Sequence, residues 1–255
     1  MRVALCLSGQ PRFVRECYDG IKQHLIDPNN PDIFIHTWSY EHDNHSPYKF
    51  GGNGGWKHKR ISADAHVEAL DLYRPVSHRV ELSKKFSLPS VSLKRALDLY
   101  SPGTELEAQE AGISHEDYMR FMLSNGLSMW HSIFSSHQLM YEHSLINGFE
   151  YDAVIRCRFD VACGKRLDMS AYDQNFLYSC EMGKKWGHIA DWLNFSKQEN
   201  MMVYASTFVH YKKIYSEIQE HNMNPICNEM ALAVNLARNG VKCANIDMSL
   251  SLPRF

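Results

Sequence analysis

Apolar and polar positions along the chain form blocks that predict strands and helices in turn. Residues 2–7 are an apolar run that predicts a buried strand, and residues 32–38 predict a second one. Between them, Phe13 to Ile26 carries apolar side chains at helical spacing, and the run from Asp27 to Pro31 ends that helix. Because a strand, a helix and a strand in succession form a βαβ unit, we expect a parallel sheet.

The alternation continues over the rest of the chain and predicts one α/β domain over residues 1–255, with a mainly parallel, Rossmann-like sheet. The further elements that the pattern predicts are a helix at 63–73, a strand at 77–82, a helix from Leu127 to Asn147, a strand within Tyr151 to Cys163, a strand at 176–180, a helix at about 204–220, a helix from Pro225 to Asn239 and a strand from Val241 to Ile246.

Three stretches depart from this pattern. Residues 40–60 are polar and contain the glycine-rich run from Gly51 to Gly55, so they predict a loop, and residues 186–195 predict a Trp-rich loop. Residues 83–126 are of mixed polarity and predict a loop and helical insertion. The glycine run does not sit at a turn from a strand into a helix, which excludes a dinucleotide-binding fingerprint.

The composition is that of a globular protein, with 44% hydrophobic and 22% charged residues, and it excludes a disordered, collagen-like or coiled-coil chain. A formal charge of −2 argues against a general nucleic-acid binder, so no nucleic-acid partner is expected. No apolar run approaches the roughly 18 residues of a membrane span, and the first apolar stretch is too short for a signal peptide.

The seven cysteines are odd in number and form no CxxC pair, and Cys6, Cys157 and Cys243 lie in apolar runs. They therefore predict buried thiols in a reducing compartment, and we expect a cytoplasmic protein. A zinc site is not expected from these patterns, because the tightest histidine cluster, His42 and His45, lies in a polar stretch that is typical of a solvated loop.

The segment from Asp152 to Val161 carries most of the candidate chemistry. The two-residue period of a strand places apolar side chains on one face and charged ones on the other, namely Arg156, Arg158 and Asp160. Since charges cannot be buried unpaired at low cost, this face forms a structural Arg–Asp pair, lies at the solvent edge, or lines a crevice for an anionic ligand. Ligands of open α/β sheets bind beyond the carboxyl ends of the strands, which favours the crevice.

Polar residues also stand at the carboxyl ends of the first two predicted strands. They are Ser8, Gly9, Gln10 and Arg12 after the first strand, and His36, Thr37 and Trp38 at the end of the second. Gly9 would let backbone N–H groups approach a ligand closely, and Arg12 would add positive charge near a helix N-terminus. The pattern is not a Walker P-loop, which requires GxxxxGK[ST].

The chain resembles a family of glycosyltransferases in three segments: LCLSGQPR over residues 5–12, DIFIHTW over 32–38 and YDAVIRCRFD over 151–160. The resemblance takes in SMWHSI over 128–133 and DWLNF over 191–195, and it spans nearly the whole chain except residues 40–126. Members of this family occur in bacterial surface-polysaccharide clusters and in large DNA viruses and phages, and they include WavE-like lipopolysaccharide-synthesis proteins.

The resemblance implies a GT-A-like enzyme of polysaccharide biosynthesis that moves a sugar from a nucleoside-diphosphate donor to a glycan acceptor. The strand-end residues named above, together with Arg156, Arg158 and Asp160, would bind the donor. The metal-binding Asp-x-Asp of that fold is replaced here by Arg158-Phe159-Asp160. Asp160 is therefore the candidate ligand for Mn²⁺ or Mg²⁺, while arginines could neutralise the departing diphosphate without a metal ion.

An inverting transfer also needs a carboxylate that deprotonates the acceptor hydroxyl. Asp191 is the first candidate, because the neighbouring Trp186 and Trp192 have aromatic faces that suit sugar rings; a loop-capping aspartate is the alternative. Glu229, in the last predicted helix, is the second candidate, and a solvated helical charge is its alternative.

Two other functions compete with a glycosyltransferase. One is a sugar-phosphate nucleotidyltransferase, which usually carries a glycine-rich loop with a lysine after its first strand, whereas this chain has Ser8 to Arg12 there. The other is a non-catalytic module that binds a nucleotide or a glycan.

Overall fold

Strands and helices alternate along most of the chain. The computed structural model describes residues 1–50, 54–86, 102–180, 182, 188–220 and 228–251. Its strands are β1 (Val3–Gly9), β2 (Asp32–Ser39), β3 (Asn44–Phe50), β4 (Gly54–Ile61), β5 (Ser77–Leu82), β6 (Ala153–Cys157), β7 (Phe176–Ser179), β8 (Leu193–Ser196) and β9 (Lys242–Asn245). Its α-helices are α1 (Val14–Ile21), α2 (Asp27–Asn29), α3 (Ala65–Tyr73), α4 (Pro102–Glu110), α5 (His115–Ile146), α6 (Gln198–Ala205), α7 (Thr207–Glu220) and α8 (Asn228–Arg238).

Within the described residues, seven strands form one sheet in the order β5-β2-β1-β6-β8-β7-β9. Strands β5, β2, β1 and β6 are parallel, β8 is antiparallel to its neighbours β6 and β7, and β9 is parallel to β7. The predicted single-domain α/β fold with a mainly parallel, Rossmann-like sheet is therefore confirmed. Because Leu7 of β1 pairs with Ile35 of β2 and Cys157 of β6, these strands end at the same edge of the sheet.

Helices cover both faces of the sheet, which explains why the central strands are apolar on both sides. On one face α5 to α8 enclose a core that includes Phe34, Trp130 and Tyr204. On the other face α1 and α3 enclose a second core, to which β6 contributes Ile155 and Cys157. The predicted alternation of faces along this segment is confirmed, because Val154 lies in the first core and Ile155 in the second.

The prediction of a loop at residues 40–60 is wrong. Strands β3 and β4 pair antiparallel there and form a two-stranded sheet of their own outside the main sheet. The stretch contains Pro47 and several glycines, so strand propensity gives little signal, and backbone pairing decides its structure. Gly54 and Gly55 of the glycine-rich run lie in β4, and the glycines of a dinucleotide fingerprint lead into a helix instead.

The long helix begins earlier than the predicted start at Leu127. It begins at His115, where the Ser114 hydroxyl accepts a hydrogen bond from the Asp117 backbone N–H at 3.1 Å and caps the N-terminus. Ser124-Asn125-Gly126 resembles a turn signal, yet it lies within the helix. A Cβ at Gly126 would overlap the Asn228 side chain of α8, so the glycine allows two helices to approach closely.

Other boundaries also differ from the predicted ones. The Trp-rich loop is shorter than expected, since β8 begins at Leu193. The predicted start of the last helix at Pro225 lies outside the described residues, and so do residues 87–101 of the predicted insertion. Helix α4 and the start of α5 occupy part of the rest of that insertion. No helix in the described part of the chain is both long and apolar enough to cross a membrane.

Candidate functional site

Three segments meet at the carboxyl edge of the central strands. The chain leaves β1 at Gly9, and it leaves β6 at Cys157. Strand β8 is antiparallel to β6 and pairs Leu193 with Cys157, so the residues just before β8 lie at this same edge. The sheet topology therefore brings the segment after β1, the segment after β6 and the segment containing Asp191 together, although they are far apart in sequence.

The turn after β1 depends on unusual backbone conformations. Gly9 has a φ of +123°, a backbone conformation that residues other than glycine rarely adopt. The Arg12 backbone N–H donates a hydrogen bond to the Gln10 carbonyl at 2.8 Å. Phe13 has a φ of 53° and a buried side chain, so core packing holds it in the left-handed region just before α1 begins. This turn directs Arg12 toward the end of β6.

Two arginines hold one buried aspartate at this edge. Arg158 donates from Nε to Oδ1 of Asp160 and from Nη2 to Oδ2, both at 2.8 Å, which is a bidentate pair. Arg12 donates from Nη2 to Oδ2 of the same carboxylate at 2.7 Å. The side chain of Asp160 is only 7% exposed, against 15% for Arg12 and 20% for Arg158. This arrangement is the Arg–Asp pair that the sequence suggested, with a second arginine added.

The charges of this cluster stabilise one another. Burial by itself raises the pKa of Asp160, but the guanidinium groups of Arg158 and Arg12 outweigh burial and hold this pKa well below its usual range. Burial lowers the pKa of Arg158, and the carboxylates of Asp160, Asp191 and Glu229 more than compensate and raise it. Asp160 and Arg158 therefore both stay ionised around neutral pH.

Asp191 and Glu229 both lie near Arg158. Nη1 of Arg158 is 3.5 Å from both carboxylate oxygens of Asp191, which is longer than an ordinary hydrogen bond between these groups. Glu229, in the first turn of α8, is half-buried, and its carbonyl accepts a hydrogen bond from Ile189, two residues before Asp191. The structure thus brings both predicted bases to the arginine cluster. Trp186 lies outside the described residues, and Trp192 packs partly against the second core.

The remaining residues that were predicted to bind the donor lie beneath this edge. Ser8, His36, Thr37, Trp38 and Arg156 are all buried. Nε of Arg156 donates to the Ser8 hydroxyl at 3.4 Å, and the Thr37 hydroxyl donates to the Gly9 carbonyl at 3.0 Å. These two hydrogen bonds stabilise the end of β1 and the turn that follows it. Of the predicted donor-binding set, the residues with exposed surface at this edge are Gly9, Gln10, Arg12 and Arg158.

Asp160 is poorly suited to hold Mn²⁺ or Mg²⁺ in this arrangement. Both of its oxygens already accept hydrogen bonds from guanidinium groups at 2.7–2.8 Å. A divalent cation on either oxygen would lie close to two positive charges, and hard cations need several oxygen ligands. The predicted metal role of Asp160 therefore does not fit the residues around it.

A different group of side chains could hold a metal ion. One ligand atom from each of His36, Glu81 and His131 lies within 4.8 Å of the other two. The sequence predicts His36 at a strand end, but it gives no local sign that Glu81 and His131 lie beside it, because the three residues come from β2, β5 and α5 and share no spacing motif. The pairing of Trp38 with Glu81 between β2 and β5 creates this proximity, and only the sheet register reveals it.

Comparison with known proteins assigns no family to the chain. No family model matches the sequence, and a search of curated proteins gives no match either.

Proposed function

We propose that the protein is a glycosyltransferase that moves a sugar from a nucleoside-diphosphate donor to a hydroxyl group of a glycan acceptor. The observation that supports this most strongly is the pair of arginines, Arg12 and Arg158, at the carboxyl ends of adjacent parallel strands. In open α/β sheets this edge is where ligands bind. The motifs that resemble glycosyltransferases, SGQPR and VIRCRFD, supply both arginines.

The leaving diphosphate develops negative charge as the glycosidic bond to it breaks, so positive groups must lie close to it. Arg158 engages Asp160 through Nε and Nη2, whereas its Nη1 makes only the long contacts to Asp191. The N–H bonds of Nη1 are thus available to phosphate oxygens without breaking the bidentate pair. Asp160 keeps the guanidinium in a fixed orientation, which lowers the entropy lost when the donor binds.

The backbone around Gly9 and Gln10 would contact the same phosphates. Gly9 has no side chain to block a close approach, and nothing lies within 4 Å of the position that a Cβ would take there. The turn leads directly into α1, whose N-terminus carries a partial positive charge. Arg12 adds a full positive charge between the turn and the helix.

Asp191 is the proposed general base. Its carboxylate lies 3.5 Å from Arg158, so a hydroxyl bound beside it would also lie near the site of the leaving diphosphate. Proton transfer from that hydroxyl to Asp191 would make the oxygen nucleophilic as the bond to the diphosphate breaks. Glu229 stays the second candidate for this role, because its charge also acts on Arg158.

In this proposal, Arg12 and Arg158, rather than a metal ion, supply the positive charge that stabilises the leaving diphosphate. Guanidinium groups bind phosphate oxygens in bidentate geometry and stay charged at every physiological pH. We therefore assign no step of the transfer to Mn²⁺ or Mg²⁺ at Asp160.

Uridine, guanosine or thymidine diphosphate is expected to raise the melting temperature of the protein, because the ligand binds only the folded state. Arg158→Ala should abolish this shift, since it removes the guanidinium that contacts the diphosphate. Differential scanning fluorimetry with and without each nucleotide measures both effects.

Arg120→Ala is the matched control, because Arg120 is exposed on α5 and pairs with Glu116 at the surface. This variant should keep the full shift. If Arg158→Ala fails to fold, the same measurement is made on the double variant R158A/D160N, in which a neutral amide replaces the Asp160 carboxylate that Arg158 no longer pairs. A normal shift in either Arg158 variant would contradict the donor-binding role and leave a purely structural Arg–Asp pair.

A further inference from the structure

Three side chains from separate elements converge at the β2–β5 side of the sheet. Nε2 of His36 lies 3.2 Å from Oε1 of Glu81, and Nε2 of His131 lies 3.0 Å from the same oxygen. The ligand atoms of two imidazoles and one carboxylate therefore face a common point. Tetrahedral zinc sites place donor atoms about 2.0–2.1 Å from the ion, so small shifts of these side chains would make room for one.

The orientation of the His36 ring is fixed by Ser132 of α5. Its hydroxyl oxygen lies 2.6 Å from Nδ1 of His36 and donates to the His36 carbonyl at 3.3 Å. When the serine proton goes to the carbonyl, Nδ1–H of the ring must donate to Oγ. Nε2 then presents a lone pair to the Glu81 carboxylate at 3.2 Å, an arrangement that favours a cation between them. Ligating histidines usually carry such a hydrogen bond on the second nitrogen.

Aromatic side chains hold His131 in place. The Trp38 ring stacks on it with a centroid distance of 5.5 Å, and Phe86 and Phe208 pack against it at 5.4 and 5.0 Å. This wall limits ring movement and excludes water from one side of the cluster. Glu81 and His131 keep 25% and 16% of their side-chain surface exposed, which leaves a route for an ion to enter.

We propose that His36, Glu81 and His131 bind a divalent transition-metal ion, Zn²⁺ in preference to Mg²⁺ or Mn²⁺, with one coordination position left to water. Two imidazoles and one carboxylate form a ligand set typical of zinc, whereas Mg²⁺ and Mn²⁺ favour sites made of oxygen ligands. The ion would connect β2, β5 and α5. This site is separate from the arginine cluster, and the proposal does not rest on the glycosyltransferase function.

Lys84 places a positive charge beside the proposed ion. Its Nζ donates to Oε2 of Glu81 at 2.6 Å, and its side chain is about half exposed. The ion needs only Oε1, so Lys84 can keep Oε2 or rotate into solvent when a second positive charge arrives.

Isothermal titration of the EDTA-treated, dialysed full-length chain with Zn²⁺ tests the proposal. We expect one ion to bind per chain and the melting temperature to rise. His131→Asn and Glu81→Gln should lose both effects. His78→Asn is the matched control, because His78 is exposed on the same strand as Glu81.

A second measurement uses only the wild-type protein, so it does not require that any variant fold. Co²⁺ in place of Zn²⁺ should give the strong visible absorption of a four-coordinate site, which added Zn²⁺ should abolish.

Equal affinity for Zn²⁺ in wild type, His131→Asn and Glu81→Gln would show adventitious binding and overturn the proposal. Binding of Mg²⁺ or Mn²⁺ as tight as that of Zn²⁺, or the weak absorption of octahedral Co²⁺, would also overturn it.

Discussion

Asp191→Asn is expected to lower kcat for sugar transfer by about 10²-fold or more while the KM for the donor changes little. Asparagine keeps the shape of the side chain but cannot accept the acceptor proton. Donor binding should persist because Arg158 remains fixed by its bidentate pair with Asp160. Steady-state kinetics at varied donor concentration separates the two parameters. A rise in KM with kcat nearly unchanged would show that Asp191 binds a donor hydroxyl instead.

Glu229→Gln is the paired control for this assignment. If Glu229 is only a charge near Arg158, the variant should turn over normally and lose no more than about 0.5 kcal/mol of stability. An inactive Glu229→Gln beside an active Asp191→Asn would move the base to α8. If both variants stay active, neither residue is the base, and a retaining mechanism gains support.

Asp160→Ala is expected to lower the free energy of unfolding by about 3–5 kcal/mol, because it leaves two largely buried guanidinium groups without their shared carboxylate. Urea unfolding of both proteins at pH 7 measures the difference. Asp71→Ala is the control, since Asp71 is exposed on α3, and it should change stability by less than about 0.5 kcal/mol. A cost of less than about 1 kcal/mol for Asp160→Ala would contradict a tightly paired cluster.

The difference in unfolding free energy between wild type and Asp160→Ala should shrink as the pH falls. The folded pKa of Asp160 lies below that of an unfolded aspartate, about 3.9. Its contribution to stability is therefore complete above that value and shrinks as the pH falls toward the folded pKa. Unfolding curves of wild type and Asp160→Ala should thus converge as the pH is lowered below about 4.

The sequence predicts the central sheet well because its strands are buried on both faces. Long apolar runs such as Val3 to Leu7 have few alternatives to a central strand, and the helix between β1 and β2 fixes their parallel orientation. The period of two residues around Arg156 also predicts correctly which side chains share a face. These signals are local, so one sequence is enough to read them.

The rest of the structure depends on contacts between distant segments. Nothing near Gly126 indicates that Asn228 lies against it, and the polar residues of β3 and β4 form strands only by pairing with each other. The burial of His36 and Arg156 follows from the cover that α5 provides over the sheet. For the same reason the neighbours of Asp160 and of Glu81 become clear only when the strands are placed in register.

Release of nucleoside diphosphate from a panel of uridine, guanosine and thymidine diphosphate sugars, with a glycan acceptor present, tests the central claim most directly. We predict release from at least one donor, and in EDTA the rate should fall only in part, because Arg12 and Arg158 supply the positive charge. Addition of Mn²⁺ or Mg²⁺ should then restore no more than the part of the rate that was lost. No release from any donor, or pyrophosphate release from a nucleoside triphosphate and a sugar phosphate instead, would contradict a glycosyltransferase. Complete loss of activity in EDTA that Mn²⁺ restores would contradict the arginine-based account of how the leaving diphosphate is stabilised.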